Sequence, residues 1–166
     1  MTCKIILIRG NSGSGKTTVA QQIAAKLPDS MLISQDVFRR EILREPDHMG
    51  NKSITLMQAN IAWARTNVHY LVIEGILKRQ VYGEMLTSLH ESAGAQMHTY
   101  YFDLPFEVAF ARNQSRAVSF PEETLRQWWQ QDDELGFEDG LLTADMALPE
   151  QVARILGDLA SPQTVL

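Results

Sequence analysis

The stretch Gly10-Asn11-Ser12-Gly13-Ser14-Gly15-Lys16-Thr17 constrains this chain more than any other feature. It matches the phosphate-binding pattern G-x-x-x-x-G-K-[ST] at every required position. An apolar run, Ile5-Ile6-Leu7-Ile8, leads into it. Val19, Ala20, Ile23, Ala24 and Leu27 follow at helical spacing until Pro28-Asp29. A strand that enters a glycine-rich turn and leaves as a helix is the setting this motif needs. The glycines let backbone N–H groups close around phosphate oxygens, and the positive end of the helix adds to the attraction. Residues Gly10 to Thr18 are therefore expected to bind a nucleotide. Lys16 would reach the β- and γ-phosphates, and the Thr17 hydroxyl would bind Mg²⁺.

The rest of the chain alternates strand and helix patterns. Met31-Leu32-Ile33 reads as a second strand that ends at Ser34-Gln35-Asp36. A short helix follows, with Phe38 and Ile42 on one face, and residues 45–52 read as a loop. Ser53 is expected to cap a helix carrying Ile54, Met57 and Ile61. Tyr70–Ile73 is a third strand ending at Glu74-Gly75, and Val81–Ser92 a helix stopped by Gly94. Met97–Asp103 is a fourth strand and Pro105–Arg116 the next helix. Ser119-Phe120-Pro121-Glu122 fits a capping box. Leu141-Leu142 begins a fifth strand, and Pro149–Leu159 closes the chain as a helix. Such alternation implies an α/β fold with a parallel sheet covered on both faces. Ligands then bind beyond the carboxyl ends of the strands. The first strand delivers the glycine-rich loop there, the second Asp36 and the third Glu74.

Phosphoryl transfer needs a phosphate cradle, a metal, a group to receive the acceptor's proton, and cations near the moving phosphoryl. Asp36 is the candidate base, or else a helix N-cap. Arg39, one turn on, could hold a substrate anion, whereas Arg40 and Arg44 read as solvated. Glu74 could bind Mg²⁺ through water, hold a substrate hydroxyl, or be a buried or capping carboxylate. Lys78 and Arg79 could contact a substrate, although they read more readily as surface residues. Arg112 and Arg116 lie four apart, just before the irregular stretch 117–140, which reads as a mobile lid. They could neutralise developing charge, or pair in solvent with Glu107 or Glu123. Trp128-Trp129 could line a substrate pocket or a lid contact, although aromatics at helical spacing are more often core.

A chain of 166 residues suggests one domain, and a single cysteine, Cys3, excludes an internal disulfide. There is no apolar run of membrane-spanning length and no leader pattern, so a cytoplasmic protein without membrane contact is expected. Charge is uneven: residues 1–116 hold 13 Lys and Arg against 10 Asp and Glu, and residues 117–166 hold 2 against 10. That balance suits a phosphate-bearing ligand and argues against a nucleic-acid surface. Four scattered histidines show no metal-ligand spacing, and there is no G-x-S-x-G elbow. Asn51-Lys52 is followed by Ser53-Ile54, so the guanine-reading N-K-x-D is absent.

Taken together, Ile8–Thr18, Ser34–Arg40, Val72–Gly75 and Tyr101–Pro105 running into Arg112 and Arg116 carry a resemblance. The chain resembles the small P-loop kinases that phosphorylate small molecules, above all chloramphenicol phosphotransferase and the zeta-toxin kinases. Shikimate, gluconate and nucleoside monophosphate kinases are wider relatives. It is also similar to bacterial proteins labelled kinase or uridine kinase. The resemblance implies a P-loop NTPase three-layer sandwich over residues 1–166, with a five-stranded parallel sheet of order 2-3-1-4-5 and a helical lid. It implies ATP and Mg²⁺, an Asp36-like base, arginines from Arg112 and Arg116, and adenine near Thr143–Leu148. It implies transfer of the γ-phosphoryl of ATP to a hydroxyl of a small molecule; a monomer or homodimer is expected. The chain lacks the arginine-rich lid and evident nucleotide-acceptor site of nucleoside monophosphate kinases, and is short for a zeta toxin. Two other readings remain open: an ATPase or switch module without transfer, and a polynucleotide 5′-hydroxyl kinase.

Overall fold

A computed structural model of the chain describes residues 2–117 and 119–160. Five strands form one parallel sheet: β1 (Lys4–Gly10), β2 (Ser30–Ser34), β3 (Tyr70–Gly75), β4 (Met97–Asp103) and β5 (Gly140–Thr143). Their order across the sheet is β2-β3-β1-β4-β5, as the resemblance implies. Six α-helices join them: α1 (Lys16–Lys26), α2 (Lys52–Asn67), α3 (Arg79–Ala93), α4 (Phe106–Gln114), α5 (Glu122–Trp128) and α6 (Leu148–Ala160).

The side-chain alternation of β1 explains the two cores. Ile5 and Leu7 point to one face, against α2 and α3 residues such as Met57, Ile61, Tyr82 and Leu86. Ile6 and Ile8 point to the other, against Val19 and Ile23 of α1 and Val152 and Ile155 of α6. All four β1 residues are fully buried. A central parallel strand is apolar on both faces because both are covered. Burying one such side chain is worth about 1.5–3 kcal/mol. Free Cys3 lies at the edge of the first core. Among the described residues no helix is long and apolar enough to cross a membrane.

Four local expectations need correction. The turn after Asp36 is π-helical over Val37–Ile42, and Ile42 is exposed while Phe38 packs on the core. Asn51, not Ser53, caps α2: its side chain accepts the Ser53 backbone N–H at 3.0 Å. Ser53 is buried instead, its hydroxyl against Asn51 and Tyr82. α5 opens at Pro121 with no side-chain cap, so there is no capping box. The turn before it is closed from α4, where the Asn113 amide pairs with both backbone groups of Phe120. Finally, α4 ends at Gln114, so Arg116 lies past the helix end and shares no helical face with Arg112.

Candidate active site

β1 ends in a loop whose backbone only glycine adopts easily. Gly13 has φ +83° and Gly15 has φ +97°. A Cβ on Gly13 would lie 2.4 Å from the Ala109 carbonyl oxygen of α4. A Cβ on Gly15 would face open space apart from Arg112 Nη1 at 3.6 Å, so that side of the loop stays free for a ligand. Within the loop the Ser14 hydroxyl is buried with no hydrogen-bond partner. A buried polar atom without a partner costs about 1–3 kcal/mol. Phosphate oxygens would relieve that cost. Thr17 and Thr18 are exposed at the start of α1, and Ser12 is partly buried. Asn11 faces away from this opening: its amide donates to the Gln130 carbonyl and accepts from the Gln130 N–H, both at 2.8 Å.

Lys16 is the centre of the charge arrangement. It is 7% exposed, and its Nζ donates to the Asn11 carbonyl at 3.1 Å. Burial pulls its pKa below the usual lysine value. The Glu74 and Asp36 carboxylates oppose that pull, while Arg116 and Arg40 reinforce it. Groups from the first loop, β3, the π-helical turn and the end of α4 therefore act on one ammonium.

Glu74 is 2% exposed at the carboxyl end of β3. It accepts the Thr17 hydroxyl at 3.1 Å and the Ser34 hydroxyl at 2.5 Å. A threonine hydroxyl beside a carboxylate is a hard oxygen donor set of the kind Mg²⁺ takes when phosphates and water complete its shell. No group of three or more His, Cys, Asp and Glu able to hold a metal occurs among the described residues.

Asp36 stands at the N-cap position but makes no capping bond. Its Oδ1 instead receives Arg39 Nη2 at 3.1 Å and lies 3.2 Å from Arg40 Nε. The two arginines form part of a cleft of about 390 Å³, walled also by Asp47, Lys78 and Trp128. Arg40 is thus not merely solvated: its guanidinium lies 5.2 Å from the Trp128 ring centre and 5.8 Å from that of Phe120. Lys78 is also no free surface residue; its Nζ is 3.6 Å from Asp47 and its side chain 21% exposed. Trp128 is half-buried over the cleft, and Trp129 sets its edge against Phe106. Neither belongs to either core cluster. Arg44 and Arg79 are exposed.

Arg112 and Arg116 divide. Arg112 donates to the Ser14 carbonyl at 2.7 Å, which ties α4 to the glycine-rich loop. Arg116 is exposed, and its charge reaches Lys16. Neither forms an ion pair with Glu107 or Glu123.

Sequence reasoning assigned no role to Arg9, Asp47, Tyr82 or Asp133. Arg9 is fully buried behind the loop and pairs with Asp133 at 2.8 Å. Tyr82 donates to Asp47 at 2.9 Å and receives the Gln35 amide at 2.9 Å, beneath the cleft wall. The only available signal was a charge, Arg9, at the end of an otherwise apolar strand. Its partner lies 124 residues away.

A protein-family model described as AAA domain matches residues 5–135. A curated uridine kinase from Borrelia turicatae (strain 91E135) is 51% identical over 39 residues, covering 24% of this chain and 19% of that protein. The matched piece therefore spans about a fifth of that relative. Among solved structures, a Mycobacterium tuberculosis APS kinase in complex with AMPPNP and APS aligns with a TM-score of 0.72 at 18% identity, covering 96% of this chain and 99% of that one. A gluconokinase from Sinorhizobium meliloti 1021 aligns with a TM-score of 0.64 at 20% identity, covering 95% and 91%. These likenesses establish the P-loop kinase fold. Because the family model spans most of the chain, from β1 through the Arg9–Asp133 pair, this protein belongs to the AAA domain family.

Proposed function

We propose that the protein is an ATP-dependent kinase that moves the γ-phosphoryl of ATP to a hydroxyl of a small molecule. One observation carries the reading. The buried Lys16 ammonium feels Glu74 from β3, Asp36 and Arg40 from the π-helical turn and Arg116 from beyond α4. Phosphoryl transfer asks for little beyond such positioning and charge compensation. The named activities of the uridine kinase, APS kinase and gluconokinase support the same class of chemistry.

In this reading the Gly10–Thr18 backbone and the Ser14 hydroxyl hold the phosphates of ATP, and Lys16 neutralises their charge. Thr17 and Glu74 would hold Mg²⁺, which supplies further neutralisation of the phosphate oxygens when bound. Asp36 uses one oxygen for Arg39 and Arg40 and keeps Oδ2 for the acceptor hydroxyl. The acceptor oxygen attacks the γ-phosphorus, its proton passes to Asp36, and the bond to the ADP oxygen breaks. Arg39 orients Asp36 and the acceptor. Arg112 fixes the loop through Ser14, and Arg116 stabilises charge on the transferring group. Residues 119–129, with Trp128 over the cleft, are the part of the lid that would move. Residues 130–139 are held by Asn11, Arg9 and the Thr99 backbone.

The test is ATP consumption with Mg²⁺ across a panel of nucleosides, sugars, amino sugars, hydroxy acids and antibiotics. Acceptor-stimulated ADP formation is expected, lost in Lys16→Ala and in Asp36→Asn. Slow hydrolysis that no acceptor stimulates and that Asp36→Asn leaves unchanged would discard the kinase reading for an ATPase module.

A further inference from the structure

The cleft beside Asp36 has a composition that the transfer chemistry alone does not require. Its walls carry three cations, Arg39, Arg40 and Lys78, against one carboxylate, Asp47. Asp36, gripped by Arg39 and Arg40, brings the total to three positive and two negative charges. Arg39, Asp47 and Lys78 are set back from solvent, with side chains only 10%, 15% and 21% exposed, while Arg40 and Asp36 stand at the rim at 37% and 44%. A cleft that holds one excess positive charge away from bulk water attracts an anion.

The donors are also incompletely used. Arg39 Nε is buried with no partner. Arg40 approaches Asp36 through Nε, and its two terminal nitrogens make no hydrogen bond to any described residue. The rings of Phe120 and Trp128 flank its guanidinium. Among the described residues the Lys78 ammonium has one ion-pair partner, Asp47, at 3.6 Å, beyond good hydrogen-bonding distance. Asp47 is different: Tyr82 donates to its Oδ1 at 2.9 Å, and Tyr82 is itself held by Gln35 and Asn51. That leaves Asp47 Oδ2 fixed as an acceptor beside open cationic donors.

We propose that this cleft binds an anionic acceptor, a small hydroxylated carboxylate or phosphate ester, with the anion on Arg40 and Lys78 and a second hydroxyl on Asp47. The volume of about 390 Å³ suits a molecule of metabolite size. The inference rests on the kinase reading for the word acceptor, but binding at the cleft can be tested without turnover.

The test follows the Trp128 indole N–H resonance of ¹⁵N-labelled protein, assigned with Trp128→Phe. The probes are glycerate and glycerol 3-phosphate, with glycerol as the neutral control, added without nucleotide. The two anions are expected to shift Trp128 at millimolar concentration and glycerol is not. Arg40→Gln and Lys78→Gln should each weaken anion binding about tenfold, since each removes a charge-assisted hydrogen bond. Glycerate binding alone would name a carboxylate site, and glycerol 3-phosphate alone a phosphate site. Equal shifts with glycerol, anion affinity unchanged in the double variant, or no Trp128 shift with either anion would overturn the proposal. Loss of transfer with retained anion binding would count against the kinase reading and not against the site.

Discussion

Two arginine–aspartate clusters meet the β3–α3 connection, one at Leu77 and the other at Lys78, and they differ in how fully their hydrogen bonds are used. Arg9 donates four: two to the Leu77 carbonyl, one to the Asp133 carbonyl and one to the Asp133 carboxylate. Asp133 also receives the first N–H of α3, from Arg79. Burial pulls the Arg9 pKa down, and Asp133, Tyr101 and Glu138 hold it up. In the cleft, Arg39 Nε and both terminal nitrogens of Arg40 have no hydrogen-bond partner among the described residues. The saturated cluster is structural: it joins β1, the β3–α3 connection and the 130–139 segment into one body. The unsaturated cluster keeps donors for something else. Between these two clusters the difference lies in how far the polar groups are satisfied, not in their charge.

Asp36→Asn should strike hardest on the cleft side. Transfer to the true acceptor falls by about 10²–10⁴-fold, while the melting temperature stays within a degree or two of the parent. A variant that melts early would mean Asp36 is scaffold and erase the contrast. Asp133→Ala makes the opposite expectation, a loss of about 3 kcal/mol in urea unfolding, because the buried Arg9 loses its 2.8 Å carboxylate and keeps Glu138 only at 3.7 Å. A cost below about 1 kcal/mol would place Arg9 with the open arginines. Asn11→Ala removes two hydrogen bonds to Gln130, for about 1–3 kcal/mol. It should increase amide exchange across 130–139 more than in β1, and uniform exchange would show that the two parts are not linked through Asn11. The smallest effect is of pH. Burial lowers the His98 pKa from 6.5, so the unfolded chain takes up that proton first on acidification. The contribution is whole above pH 6.5 and is lost as pH falls toward the folded value. His98→Gln should flatten that part of the unfolding-pH curve, and a curve unchanged in shape would remove His98 as its source.

Much of the fold was legible because its signals are local. The loop motif, the apolar strands and the polar residues at their carboxyl ends each lie within a few residues of one another. Less of the site was legible. Asp36, Glu74 and Lys16 stand out as strand-end or motif residues. Arg40 and Lys78 do not, because only the packing of Trp128 and Asp47 makes them cleft walls. The Ser53 and Ser119 caps went wrong for a related reason. Each pattern is locally sound, yet Ser53 is drawn to Tyr82 and the Ser119 turn is closed by Asn113.

The order of amino acids alone determined a parallel α/β sheet with a phosphate cradle at one end. Those features follow from the two-residue alternation of strands, the turn of the helix and the freedom of glycine, all short-range properties of the backbone. Tertiary structure decided which charges are spent and which remain. Arg9 and Arg40 are both arginines beside aspartates, but one is closed by a partner 124 residues distant and the other opens on a cleft. Burial and the count of available acceptors make that difference, and neither exists until the chain has folded.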